Sequence, residues 1–68
     1  MRLCDENLLK TLELTDRMVE IADQGDMARE DPGCGVLYGV LRDAAFKIRK
    51  LAEDERSVHM RKGKWRQD

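Results

Sequence analysis

The chain has 68 residues, 41% of them hydrophobic and 40% charged, a mixture too apolar for a disordered polyelectrolyte and too charged for a membrane span. Its net charge of −1 conceals an imbalance: residues 1–31 carry nine acidic and four basic side chains, a net of −5, and residues 32–68 carry five acidic and nine basic, a net of +4. A lone core is marginal at this length, two cysteines build no disulfide framework, and the start Met-Arg-Leu-Cys-Asp-Glu lacks the apolar stretch of a secretion signal, which leads us to expect a cytoplasmic protein without membrane contact.

The first predicted element is a helix over about residues 5–25. Asp5 suits the N-cap, Glu6 the positive end of the helix dipole, and Gly25 the C-terminal stop. Leu8, Leu12, Thr15, Val19 and Ala22 recur at alternating spacings of four and three; with Thr11, Leu14, Met18 and Ile21 they make about half the cylinder apolar or neutral. That arc is wider than one neighbouring helix requires.

The connection is predicted over residues 26–34. Asp31-Pro32 reads as an N-cap followed by proline at the first helical position, and Pro32-Gly33 reads equally well as the centre of a type II turn. The second helix is expected over about 35–60. Leu37, Leu41, Ala44, Ile48, Leu51, Glu55 and Val58 form a heptad seam interrupted by one charge. Residues 61–68 have no periodicity and read as a flexible basic tail, with Arg61, Lys62, Lys64 and Arg66 around Trp65.

No stretch alternates as a strand does, so the fold class is all-α: residues 1–60 form an antiparallel helical hairpin. The width of the apolar arc suits helices with two neighbours, as in a four-helix bundle, and a homodimer is the simplest closed assembly. Leu12, Val19, Leu41, Ile48 and Leu51 are the expected dimer core. The opposite charges of the two halves are expected to neutralise across the hairpin; an exposed basic half offers nucleic acid a surface instead.

Residues with reactive chemistry are few. Cys34 lies between glycines near a helix start, where thiols become acidic, yet it has neither a second cysteine at Cys-x-x-Cys spacing nor a neighbouring histidine, so it and Cys4 read as small hydrophobes. His59, the single histidine, reads as a side chain favourable to the helix C-terminus rather than as a ligand or base. Gly33-x-Gly35-x-x-x-Gly39 follows no strand and precedes no Gly-Lys-Ser/Thr, so it is not a phosphate loop; Gly35 and Gly39 are expected to let another backbone approach. Glu13, Asp16 and Glu20 read as a solvated face. These patterns assemble no catalytic, cofactor or metal set, and the chain reads as non-enzymatic.

Phe46 projects away from the seam, with Arg42, Arg49 and Lys50 around it. An aromatic ringed by basic residues suits a partner anchor, and packing over a neighbouring helix in the dimer is the plainer account. Arg42, Phe46, Arg49, Lys50 and Trp65 are therefore the candidate partner-binding residues, for another protein or, through the basic face of the second helix and the C-terminal tail, for RNA.

Length, hairpin and inferred dimer resemble Rop, the plasmid RNA-binding four-helix protein, in architecture over about residues 5–60, with no motif that transfers a functional residue. The string Gly33-Cys34-Gly35-Val36-Leu37-Tyr38-Gly39, followed by Leu41-Arg42-Asp43, is similar to that of short uncharacterised bacterial helical-hairpin proteins, and that resemblance implies no activity. The expectation from sequence is a small interaction or regulatory module that acts as a homodimer, with RNA binding as the alternative.

Overall fold

The computed structural model describes residues 2–63. Helix α1 spans Leu3–Met27 and helix α2 spans Pro32–Arg61; they pack against each other, with no strand among the described residues. Asp5 meets His59 and Asp23 meets Arg42, so the helices run antiparallel. The hairpin measures 48 × 18 × 13 Å, one layer of two helices lying side by side.

Both helices are longer than their apolar patterns suggest, and the connection shrinks from the nine residues expected to four, 28–31. At the start of α2 the cap-and-proline alternative holds. Asp31 is extended, accepts a hydrogen bond from the Cys34 backbone N–H at 2.8 Å, and is followed by Pro32 at the first helical position. Proline is tolerated there because its missing N–H would have no partner within the helix.

Two expected caps belong elsewhere. Asp5 is not the N-cap of α1: the helix starts two residues earlier, with Arg2 at the cap position and no side-chain capping bond, and Asp5 is buried in the first turn. Gly25 does not stop α1, which continues to Met27. Its lack of a side chain admits the ring of Tyr38 from α2, with which a Cβ at Gly25 would collide. Close approach therefore falls at Gly25 rather than at Gly35 or Gly39. A Cβ at Gly39 would meet open space, and one at Gly35 would meet the Arg29 side chain, not a backbone. The glycine that ends a helix is Gly63, in the left-handed region at φ +68°, whose N–H bonds the Met60 carbonyl.

The line along which the helices touch is made of small residues. Thr15 and Ala22 on α1, and Ala45 and Ala52 on α2, are buried and seven residues apart on their own helix. Thr15 can occupy such a site because its hydroxyl donates to the Leu12 carbonyl at 2.7 Å. Among the described residues the fully buried hydrophobic core is Ala22, Ala45 and Ala52, with no larger apolar side chain. Around these alanines the larger apolar side chains, Leu12, Met18, Val19, Leu41 and Ile48 among them, are only half-buried, so the hairpin covers its apolar surface in part, and a lone core is marginal at this size.

No helix among the described residues is long and apolar enough to cross a membrane.

Candidate functional site

The contact line divides the hairpin into two edges of opposite character. Asp16 and Asp23 each follow a buried residue of α1 by one position, which turns them about 100° to one side. There they meet α2: Arg49 donates to Asp16 at 2.7 Å, and Arg42 donates twice to Asp23, at 2.7 and 3.2 Å. The hydrogen bond that Arg42 donates to Asp23 raises the pKa of Arg42 above its ordinary value, with burial opposing and nearby carboxylates assisting. The acidic and basic halves of the chain thus neutralise across this edge at two points.

Phe46 lies outside the contact line and is about half exposed, with the Arg49 guanidinium carbon 5.6 Å from its ring centre. Arg49 therefore serves Phe46 and Asp16 together. Lys50 reaches Asp54 one turn along its own helix, at 3.4 Å. Of the candidate partner-binding residues, Arg42, Phe46, Arg49 and Lys50 share α2, and each of the three basic groups faces an aspartate. Trp65, and the tail from residue 64 onward, lie outside the described residues.

The opposite edge is apolar. Leu14 and Ile21 precede Thr15 and Ala22 by one residue, and Leu37, Ala44, Leu51 and Val58 precede Tyr38, Ala45, Ala52 and His59. They turn about 100° the other way, away from the aspartates and arginines. Leu41 and Ile48 stand between these residues and the contact line, half-buried, as Met18 does on α1. Leu14, Leu37 and Leu51 are each more than half exposed. The heptad seam read from α2 is therefore not the line that α1 touches. Leu37, Ala44, Leu51 and Val58 of that seam lie one residue off the line, toward the outer edge of the hairpin, and Leu41 and Ile48 lie between.

The five expected dimer-core residues fall on both edges. Leu41, Ile48 and Leu51 lie along the apolar edge. Leu12 and Val19, each four residues before an aspartate of the ion-paired edge, are half-buried between the helices on that side.

At the open end, where α1 begins and α2 ends, lies a cluster that sequence reasoning did not assemble. Asp5 and His59 are both buried, and His59 Nδ1 lies 2.6 Å from Asp5 Oδ1. His59 Nε2 lies 3.2 Å from Glu55 Oε1, one turn back on α2. An ionised carboxylate only accepts, so with both acids ionised the ring must donate at each nitrogen. Asp5 Oδ2 is buried without a hydrogen-bond partner among the described residues; Arg2 Nε stands 3.7 Å away. Cys4 completes the group: one ligand atom from each of Cys4, Asp5 and His59 lies within 4.8 Å of the others. Residues 54 positions apart share no local pattern, so no spacing rule joins Asp5 to His59.

Both cysteines are free thiols, Cys4 exposed and Cys34 half-buried in the first turn of α2. The cap at Asp31 also has an electrostatic signature: the Cys34 backbone N–H lowers the Asp31 pKa below the ordinary carboxylate value.

Comparison with known protein families, with curated proteins and with solved structures finds no match to this chain.

Proposed function

We propose that the protein is a non-enzymatic helical interaction module, and that the apolar edge pairs two copies into a four-helix bundle. One observation carries this reading: among the described residues only alanines are fully buried apolar side chains, the larger ones between the helices are half-buried, and Leu14, Leu37 and Leu51 stand exposed along one edge. Domains bury their apolar faces between two layers, and a hairpin 13 Å thick is one layer. The outline of the hairpin, 48 Å by 18 Å, sets an upper bound on the order of 800 Å² per partner, which reaches the size of a standard stable interface.

A second copy suits this edge because its exposed residues come from both helices. Leu14 and Ile21 of α1 share this edge with Leu37 and Leu51 of α2, so a two-fold related hairpin meets a two-helix face with a two-helix face. The heptad spacing of the α2 seam is that of knobs packing into the holes of a facing helix. The ion-paired edge, its charges matched in pairs, is left facing water. Any regulatory work would then fall to surfaces outside the pairing interface, Phe46 among them.

Co-refolding tests the pairing. A tagged and an untagged copy are denatured, mixed, refolded and captured on the tag. The untagged wild-type chain should be retained, and the Leu37→Glu/Leu51→Glu variant should be lost. Failure to retain the wild type, or full retention of the doubly charged variant, would overturn the reading.

A further inference from the structure

We propose that Cys4, Asp5 and His59 form a zinc site that clamps the first turn of α1 to the last turns of α2. All three ligands belong to one chain, so the site does not depend on the pairing of two copies.

The donor set is one thiol sulfur, one carboxylate oxygen and one imidazole nitrogen, with ligand atoms within 4.8 Å of one another. Donors bound to one tetrahedral zinc ion, at about 2.0–2.3 Å each, stand three to four ångströms apart, so small side-chain adjustments bring these atoms to it. A thiolate beside an imidazole selects zinc over magnesium or calcium, whose ligands are oxygens. Three protein ligands leave a fourth position for water, and a groove lined by Leu3, Cys4, Asn7, Leu8 and Thr11 opens beside the thiol.

Two further observations point to a cation. Asp5 Oδ2 is a buried carboxylate oxygen with no hydrogen-bond partner among the described residues. Arg2, half-exposed, stands 3.7 Å from that oxygen and has solvent to swing into. Glu55, in turn, holds His59 from behind at Nε2. A carboxylate on the far nitrogen of a metal-binding histidine fixes the ring and keeps the near nitrogen's lone pair aimed at the ion. Here the far nitrogen is Nε2 and the near one is Nδ1, which faces Asp5.

Protons balance simply. Binding displaces the Cys4 thiol proton and the proton shared between Nδ1 and Asp5, both to solvent. His59 keeps its Nε2 proton, donated to Glu55, and no electron is transferred. Glu55 is thus a positioning residue and Cys4, Asp5 and His59 are the ligands.

Cobalt(II) is the probe, because a cobalt–thiolate bond absorbs light and a cobalt–carboxylate bond alone does not show that band. The metal-stripped full chain is titrated with cobalt(II) chloride and then with zinc chloride. A thiolate-to-cobalt band should saturate at one ion per chain and disappear as zinc displaces cobalt. Cys4→Ser, an exposed position that leaves the fold intact, should abolish the band, and Cys34→Ser should keep it. Glu55→Ala should weaken binding about 10- to 100-fold while leaving the band's shape unchanged. Zinc at a hundredfold excess over its Kd should raise the Tm by about 10 °C or more. Absence of the band in the wild type, its survival in Cys4→Ser, or its loss in Cys34→Ser would each overturn the proposal.

Discussion

Replacing Leu51 by alanine separates a lone hairpin from a paired one by magnitude. Leu51 is 63% exposed, so the hairpin by itself hides little more than a third of it. Full burial of a leucine side chain is worth about 1.5–3 kcal/mol, so truncating this one in an isolated hairpin should cost about 1 kcal/mol or less. Across a bundle interface the same change empties a buried site and costs about 2–5 kcal/mol, and each pair of chains carries it twice. Circular dichroism melts over a hundredfold range of concentration read both terms. The wild-type Tm should climb with concentration, as dimer dissociation requires. Leu51→Ala should melt at least about 10 °C lower at any fixed concentration, since 1 kcal/mol corresponds to roughly 4–8 °C in a domain of this size. A shift below about 5 °C, together with a concentration-independent wild-type Tm, would refute the reasoning that the edge is covered.

Two other changes probe the hairpin itself. Gly25→Ala gains up to about 1 kcal/mol of helix propensity but forces a methyl into the Tyr38 ring, an overpacking cost of about 1–3 kcal/mol, so it should destabilise the wild type and stabilise a Tyr38→Ala background; stabilisation in both would show that the ring does not rest on that backbone. Asp31→Ala should lower the Tm by about 5 °C, and Asp31→Asn, which keeps an acceptor, by less. Because the folded-state pKa of Asp31 is lowered, its contribution is full above the ordinary carboxylate value and is lost as pH falls through the lowered one. The wild-type advantage over Asp31→Asn should therefore shrink on acidification, and a pH-independent difference would contradict the cap's charge dependence.

The helices were legible from sequence because leucines at heptad spacing mark a helix whatever they pack against. Which neighbour they pack against was not legible. A close antiparallel contact selects for small size at its centre, and Thr15, Ala22, Ala45 and Ala52 do not stand out in a hydrophobicity pattern dominated by leucines one position away. The seam read from α2 is a real stripe of that helix, but α1 lies against the alanines beside it. Gly25 shows the same ambiguity: a glycine near the end of a helix looks like a stop, and only the position of Tyr38 reveals that it makes room for a ring. Asp5 suits a helix start on local grounds, and its buried contact with His59 depends on the whole length of the hairpin. Phe46 stands off the seam, as its spacing predicts, but the aspartates that meet its basic neighbours Arg42 and Arg49 come from α1, where the sequence shows only a solvated acidic face.

The claim that the apolar edge is an interface between two copies is tested most directly by the mass of the protein in solution. Sedimentation equilibrium of the full chain over micromolar to millimolar concentrations should return twice 7.9 kDa, falling toward one chain only on dilution. A stable species of 7.9 kDa across that range would contradict it.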